Sequence, residues 1–254
     1  MESVRKPFQG VTNIIRFNWH FYVMSVGLVL LLLLSNIYLN SQFRLYSNLL
    51  CILVVVPTVI SLLVSAYVYD FSNLYTLNWI DKLGMEPGGI KVNINAGFDE
   101  TSVLLAAKYP DCKLQVFDFY DAEKHTEISI ERARKGYPPY AGTTKISTAS
   151  LPFSDNTVDT IFLIFAAHEI RHDEERIVFF KELNRCLKPS GKIIVTEHLR
   201  DWSNFLAYNI GFFHFLSKTS WLKTFANAGV TLVTEKKITP FISTFILTKN
   251  GTTH

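Results

Sequence analysis

The sequence is poor in charged residues and in cysteine. Only 19% of its 254 residues are Asp, Glu, Lys or Arg, whereas soluble domains average about 25%; part of the chain is therefore expected to lie in lipid. The three cysteines, Cys51, Cys112 and Cys186, match no metal or disulfide spacing, which favours a reduced, cytosolic setting. The formal net charge is only +3. The chain lacks the excess of Lys and Arg that a nucleic-acid-binding protein needs, so nucleic acid is not an expected partner.

Charge is missing altogether from two long segments, residues 17–43 and 45–69. A helix of roughly 20 apolar residues crosses the hydrocarbon core of a bilayer. Both segments meet this requirement, so they predict a hairpin of two transmembrane helices, with Pro57 as a kink in the second. A cleaved signal peptide is the alternative for the first segment, but no small-residue cleavage site follows Leu34 and a second span comes at once.

The flanking charges predict the orientation of this hairpin. Arg5, Lys6 and Arg16 precede the first segment, while the short connection carries only Arg44. The positive-inside rule then places the N-terminus in the cytosol, and two crossings return the rest of the chain to the cytosol. We therefore expect a multi-pass membrane protein with four parts: a cytosolic tail (1–16), a hairpin (17–69), a linker helix (70–85) and a cytosolic domain (86–250).

Within the cytosolic domain, short apolar runs alternate with amphipathic stretches. Strands are predicted at 90–94, 113–118, 144–147, 158–165, 192–196, 230–236 and 241–248, and helices at 74–83, 100–108, 122–135, 173–186 and 220–228. This alternation is typical of an α/β, doubly wound, mostly parallel sheet of the Rossmann-like type. Ligands of such sheets bind beyond the carboxyl ends of the strands, where the strand order reverses.

Two motifs flank the strand predicted at 158–165. The first is Leu-Pro-Phe-Ser-Asp-Asn-Thr-Val-Asp at 151–159, and the second is Glu-Leu-Asn-Arg-Cys-Leu-Lys-Pro-Ser-Gly-Lys at 182–192. Together they resemble class I S-adenosylmethionine-dependent methyltransferases, and the similarity extends over roughly residues 86–248. The turn at 228–230 and the last two strands also resemble that family. The resemblance implies a reversed last strand, S-adenosylmethionine as the cofactor and methyl transfer as the reaction.

The loop after the first strand departs from the family's pattern of an acidic residue and three glycines. Asn93 and Asn95 stand in this region and only Gly97 remains of the glycines; these three residues are the predicted cofactor contacts in the loop. Asn tolerates positive φ better than most residues. Phe98 and Asp99 are expected to narrow the approach of a ligand to the backbone. An acidic loop also disfavours the pyrophosphate of a nicotinamide dinucleotide, which would bind at this helix N-terminus.

Four further residues are predicted to contact the cofactor. Asp118 ends the second strand 21 residues after Gly97, the spacing at which a carboxylate accepts hydrogen bonds from both ribose hydroxyls; a solvated carboxylate at a strand end is the alternative. Phe119 is expected to pack on the adenine. Ser147 and Thr148 stand where the family often has an acidic residue at the adenine amino group, and Ser147 is the matching position.

The histidines that follow the fourth and fifth strands are the candidate catalytic residues. Methyl transfer gains most from holding donor and nucleophile in contact, and a base adds about two to four powers of ten when the acceptor is a hydroxyl. His168 is the first candidate for this base and His198 the second. His168 and His172 are four residues apart, but the segment lacks the zinc-peptidase pattern and Asp173–Arg176 opens a helix. Its acidic residues suit the helix dipole, so no metal is predicted.

The segment between Asp201 and Lys218 is unusually rich in aromatic side chains. The resemblance implies that this insertion caps the substrate pocket, although an ordinary buried core helix is the alternative. An apolar cap beside a membrane hairpin predicts a membrane-anchored methyltransferase acting on a lipophilic small molecule. The alternatives are a catalytically silent domain that serves as a membrane-bound interaction module, and methylation of a membrane protein, which would require an open cleft.

Overall fold

A seven-stranded sheet forms the centre of the domain that follows the hydrophobic N-terminal helices. The structure is a computed structural model that describes residues 5–85, 88–125 and 127–250; the first four residues of the predicted tail, and Pro87 near the predicted domain boundary, lie outside the described residues. The strands are β1 (Lys91–Asn95), β2 (Leu114–Asp118), β3 (Thr144–Lys145), β4 (Val158–Ile164), β5 (Leu187–His198), β6 (Val230–Thr239) and β7 (Ile242–Lys249).

The strand order of the sheet is β3-β2-β1-β4-β5-β7-β6. Strands β1 to β5 pair in parallel, whereas β7 is antiparallel to both of its neighbours, β5 and β6. This confirms the predicted mostly parallel α/β sheet with a reversed last strand. The order reverses at β1, because β2 lies on one side of it and β4 on the other. The carboxyl end of β1 is therefore where a ligand is expected.

Nine α-helices accompany the sheet in the described part of the chain. They are α1 (Gln9–Phe17), α2 (Trp19–Ser35), α3 (Ser41–Ala66), α4 (Asn78–Asp81), α5 (Ser102–Lys108), α6 (Ile128–Gly136), α7 (Asp173–Cys186), α8 (Trp202–Tyr208) and α9 (Lys218–Asn227). A π-helical turn, Tyr67–Phe71, extends α3, and 3-10 turns span Ala167–Glu169 and Asn209–His214.

Two predicted helices are shorter than expected because the local backbone departs from helical geometry. The linker helix predicted at 74–83 is reduced to α4, since Leu77 adopts a left-handed conformation with φ of 55°. The helix predicted from residue 122 begins only at Ile128. Before it, the His125 imidazole accepts a hydrogen bond from the backbone N–H of Asp121, which closes a turn in place of the first helical turns.

The core packs aromatic side chains against one face of the sheet. Phe179 and Phe180 of α7 and Trp221 and Phe225 of α9 are all buried, with the rings of Phe180 and Phe225 5.4 Å apart between centroids. Burying side chains of this size stabilises a fold by about 1.5–3 kcal/mol each. The dense packing fixes the strands whose ends build the site.

The hydrophobic N-terminal helices α2 and α3 pack against each other and leave most of their apolar side chains exposed. Within the described residues, one continuous helix, Ser41–Phe71, is long and apolar enough by itself to cross a membrane, and Pro57 does not interrupt it. Helices α1 and α2 satisfy the same criterion only as a pair, and they are bent by 74°. One helix is therefore long and apolar enough to span a membrane, and a second span would require the bent pair of α1 and α2 to act as one. The hairpin of two transmembrane helices stays a prediction.

Candidate functional site

A cavity of about 730 Å³ opens at the carboxyl ends of β1 and β2. Asn95 and Gly97 line it from the first loop, Asp118 from the end of β2, and α6 forms the opposite wall. Gly97 has a φ of 88°, a left-handed conformation that favours glycine. The side chain of Asn95 accepts a hydrogen bond from the Gly97 N–H at 2.8 Å and so holds the turn. Three of the seven predicted cofactor residues thus meet at one cavity.

Asp118 is buried at the mouth of this cavity and is bound by an arginine that the sequence pattern does not indicate. Its Oδ1 accepts a hydrogen bond from the Tyr120 N–H at 2.8 Å, and its Oδ2 pairs with an Nη of Arg134 at 2.7 Å. The Arg134 guanidinium also lies 4.3 Å from the centroid of the Tyr120 ring. It presses on the backbone of Gly97, where an added Cβ would overlap it. Arg134 therefore occupies the space between the Asp118 carboxylate and Gly97.

The residues that replace the family's glycines hold the loop rather than obstruct the cavity. Asp99 lines the cavity but accepts hydrogen bonds from the Thr101 and Ser102 N–H groups, both at 2.9 Å, at the start of α5. Phe98 packs outward against Phe17, with 5.5 Å between ring centroids. The narrowing expected from Phe98 is therefore not observed, because its ring contacts α1 instead of facing the cavity.

Asn93 stands two residues before Asn95 in β1 and does not line this cavity. Its side chain is buried and donates hydrogen bonds to the hydroxyls of Thr101 and Ser102, at 3.0 and 2.8 Å. These bonds tie β1 to the beginning of α5. The structure thus places Asn93 beneath the loop, where it supports the loop instead of lining the cavity.

The structure places the adenine-side residues away from the cavity. Phe119 is buried in the core, where its ring lies 5.4 Å from that of Phe179. The Ser147 hydroxyl accepts a hydrogen bond from the backbone of Ala149, and the Thr148 hydroxyl donates to Glu175 at 2.6 Å. The next residue along the chain, Tyr120, lines the cavity, whereas Phe119 does not.

Helix α1, which falls in the predicted N-terminal tail, packs against the loop between β1 and α5, which we call the cofactor loop. The Glu100 carboxylate accepts hydrogen bonds from Arg5 at 2.6 Å, Gln9 at 3.1 Å and the Tyr75 hydroxyl at 2.9 Å. The side chain of Asn13 accepts a further bond from the hydroxyl of Tyr137, which lines the cavity. The segment that leads into the hydrophobic helices is therefore in direct contact with the loop after β1.

His168 lies in a second group of polar residues, in the 3-10 turn after β4. Its Nδ1 is 2.6 Å from Glu197 Oε2 and its Nε2 is 3.2 Å from Glu169 Oε1. Burial lowers the pKa of His168, but the attraction of both carboxylates outweighs it and raises the pKa to about 10. In this arrangement the imidazole keeps its proton at neutral pH and has no lone pair with which to act as a base.

His198, at the end of β5, is buried and neutral. Its Nδ1–H donates to Asn204 Oδ1 at 2.9 Å, and its Nε2 accepts from the Tyr69 hydroxyl at 2.8 Å. The side chains of Phe165 and Phe215 stack on its ring. Burial is the main cause that lowers the pKa of His198, to about 4. The second candidate base is therefore unprotonated, and it is hydrogen-bonded to the segment that extends α3.

The aromatic cap is built from α8 and the 3-10 turn that follows it. Asn204 anchors its inner side, where it is completely buried, while α8 packs against α3. Its outer side leaves Trp202, Leu206, Ile210 and Phe213 between 62% and 80% exposed. The cap thus differs from a buried core helix, because it presents an apolar surface beside the hydrophobic helix α3.

Comparisons with known proteins agree with this geometry. Residues 116–195 match the family described as "Methyltransferase domain". A curated protein of Geotalea daltonii, named ubiquinone/menaquinone biosynthesis C-methyltransferase UbiE, is 25% identical over 142 residues. The alignment covers 51% of this chain and 57% of that protein, so the chain spans little more than half the length of its curated relative.

Solved structures show the same fold. An S-adenosylmethionine-dependent methyltransferase from Aquifex aeolicus superposes with a TM-score of 0.52 at 17% identity, covering 75% of this chain and 97% of the other. Human N-acetylserotonin methyltransferase, in complex with S-adenosylmethionine, gives 0.51 at 15% identity, with coverages of 76% and 55%. These similarities confirm the resemblance to class I S-adenosylmethionine-dependent methyltransferases and support S-adenosylmethionine as the cofactor.

Proposed function

We propose that this chain is a membrane-anchored S-adenosylmethionine-dependent methyltransferase that acts on a lipophilic small molecule. The observation that carries the proposal is the position of the cap. Its exposed apolar side chains lie beside α3, while its inner side contacts His198 at the carboxyl edge of the sheet. A contiguous exposed apolar surface of this kind marks a site of membrane or ligand contact.

The residues at the cavity suit the cofactor. S-adenosylmethionine supplies an electrophilic methyl group when it is bound. Asp118 accepts hydrogen bonds from the ribose hydroxyls in this proposal, and the bare backbone at Gly97 permits close approach of the methionine portion. Arg134 leaves Asp118 when the cofactor enters; its side chain is long and is 25% exposed.

The acceptor enters from the lipid side in this proposal. Holding two reactants in contact contributes about 7–11 kcal/mol in favourable cases, so a cap that binds the acceptor provides much of the catalysis. His198 is the proposed proton acceptor, through the Tyr69 hydroxyl that donates to it. His168 is not the base in this proposal, because it lies between the Glu169 and Glu197 carboxylates. A lipophilic acceptor is also in keeping with a relative named for ubiquinone and menaquinone biosynthesis.

The membrane topology completes the proposal. Helices α2 and α3 form the anchor as a two-span hairpin, and both chain termini lie in the cytosol, as the positive-inside rule indicates for Arg5, Lys6 and Arg16. This orientation gives the cavity access to cytosolic cofactor. A reporter enzyme fused to the C-terminus that is active only after export should therefore remain silent, and strong activity would contradict the orientation.

Methyl transfer itself is tested with the full chain in liposomes of native lipid extract and S-adenosylmethionine labelled in its methyl group. We expect label in the organic-solvent extract, and a large loss with Asp118→Ala. Ile210→Ser in the cap should raise the KM for the extracted acceptor, whereas Val178→Ser, at an exposed position on α7, should not. Label confined to protein would favour a membrane-protein acceptor. Failure of the chain to bind the cofactor would favour the silent interaction module.

A further inference from the structure

Three potential metal ligands converge from two distant parts of the chain. His168 and Glu169 come from the turn after β4, and His214 comes from the end of the cap. The Nε2 atoms of the two histidines lie 3.2 and 3.8 Å from the same oxygen, Oε1 of Glu169. The three ligand atoms are all within 4.8 Å of one another. A single ion placed among them can be reached by all three side chains.

Each histidine has a carboxylate on its other ring nitrogen. Nδ1 of His168 is 2.6 Å from Glu197, and Nδ1 of His214 is 3.2 Å from Glu127. Histidines that ligate metals almost always donate this second N–H to a carboxylate, a carbonyl or water, which fixes the tautomer and turns the other nitrogen toward the metal. The Nε2 atom of His168 then faces Glu169, whereas the Arg171 guanidinium contacts both ring nitrogens of His214, with Nε2 at 3.2 Å, and must move aside for His214 to ligate.

Glu169 supplies an independent indication of a missing ligand. Its side chain is 2% exposed, yet its Oε2 atom has no hydrogen-bond partner among the described residues. A buried carboxylate oxygen without a partner is rare in folded proteins, because it loses its hydration without compensation. A cation that binds both carboxylate oxygens of Glu169 would satisfy this oxygen as well as Oε1.

The charges of the surrounding groups suit a divalent ion. Glu127, Glu169 and Glu197 carry three negative charges, and Arg171 brings one positive charge beside His214 and Glu127. With both imidazoles neutral, a net of two negative charges remains. Without a metal, the group is compensated in part by a proton on His168, which bridges Glu169 and Glu197.

We propose that His168, Glu169 and His214 bind a divalent transition-metal ion. Two imidazole nitrogens and one carboxylate oxygen favour zinc or ferrous iron over magnesium or calcium, which prefer oxygen donors alone. Three protein ligands leave a position open for water or another oxygen ligand. A metal held here would lower the pKa of an acceptor hydroxyl at the open position, and the proton would pass to His198, the base of the proposed function on which this use of the site rests.

The test measures metal binding to the full chain, tag-free in detergent and dialysed against a chelator, without S-adenosylmethionine. We expect one equivalent of Co²⁺ to give visible absorption bands, and Zn²⁺ to displace it stoichiometrically. Glu169→Gln, which keeps the side-chain volume, and His214→Ala should each weaken Zn²⁺ binding at least tenfold. His172→Ala is the control, because this exposed histidine lies next to the cluster in sequence but outside it.

Two results would overturn the proposal. One is the absence of stoichiometric Co²⁺ or Zn²⁺ binding by the folded parent chain. In that case a proton on His168, rather than a metal ion, would supply the positive charge between Glu169 and Glu197. The other is binding that survives unchanged in both Glu169→Gln and His214→Ala. Since neither measurement involves methyl transfer, a failed methyltransferase assay with intact metal binding would count against the proposed function alone.

Discussion

Arg134 should oppose cofactor binding, and its removal should tighten it. The guanidinium pairs with Asp118 at 2.7 Å and lies over the backbone of Gly97, so it occupies both places that a ribose and the adjoining methionine portion would use. Arg134→Ala frees the carboxylate and removes a positive charge from a cavity intended for a cationic sulfonium. We therefore expect S-adenosylmethionine to bind the variant more tightly than the parent.

The size of this effect follows from the burial of the pair. The Asp118 side chain is 7% exposed and that of Arg134 is 25% exposed. Hydrogen bonds to charged groups contribute about 1.5–3 kcal/mol, which solvent screening at Arg134 reduces to about 1–2 kcal/mol. The contact with Tyr120 adds about 0.5 kcal/mol. The sum is about 1.5–2.5 kcal/mol, and since 1.4 kcal/mol corresponds to a factor of ten, the affinity should rise about ten- to sixtyfold.

Calorimetric titration of the cofactor into the full chain in detergent measures this change. Lys135→Ala is the matched control: Lys135 lines the same cavity and carries the same charge, but it pairs with Glu131. Asp118→Ala should weaken binding at least tenfold, and in that background Arg134→Ala should bring a smaller gain than in the parent, because the ion pair is already absent. Weaker binding by Arg134→Ala alone would refute the reasoning, because Arg134 would then be a cofactor contact.

Two other features lead to predictions. The pKa of His198 is lowered to about 4 from 6.5, so the contribution of its neutral ring to the free energy of unfolding is complete above pH 6.5 and falls by about 3 kcal/mol as the pH approaches 4. Denaturant titrations should show that acidification lowers the free energy of unfolding less in His198→Gln than in the parent. Equal losses in the two proteins would contradict this. Glu100→Gln should speed hydrogen exchange of the α1 amides about tenfold, because the ion pair with Arg5 is lost. The control is Glu123→Gln, at an exposed position. Unchanged exchange in Glu100→Gln would mean that other contacts hold α1.

The sheet was predictable because its signals are local. Apolar runs of strand length, separated by amphipathic helices, predict a doubly wound sheet without any knowledge of long-range contacts. The helix limits were less predictable, because single residues decide them. Leu77 begins α4 in a left-handed conformation, and the turn closed by His125 delays α6 to Ile128. Neither residue type indicates this conformation in the sequence.

Part of the site was predictable from the position of residues at strand ends. Asn95, Gly97 and Asp118 line the cavity as expected. Phe119 does not, because successive side chains of an extended segment point to opposite sides. If Asp118 faces the cavity, Phe119 must face the core, and Tyr120 returns to the side of Asp118. The same alternation that identifies the strands therefore assigns Phe119 to the core and Tyr120 to the cavity.

The remaining residues depend on contacts between segments that are distant in sequence. Arg134 reaches Asp118 from α6, and His214 reaches Glu169 from the cap. Tyr69 reaches His198 from the π-helical turn that extends α3. Each of these residues has an ordinary sequence context, and only the packing of helices on the sheet brings it to the site. Sequence patterns report what a segment does locally, so such partners stay hidden.

The N-terminal helices and the domain are joined at several places rather than by a simple tether. Gln9 of α1 donates a hydrogen bond to Glu100 in the loop after β1, and Tyr69 in the extension of α3 donates one to His198 at the end of β5. A single attachment would let the domain rotate freely about its linker. Attachments at separate points of the domain, together with the packing of α8 on α3, oppose such a rotation. Displacing α1 and α3 relative to each other must therefore strain both the cofactor loop and the His198 pocket.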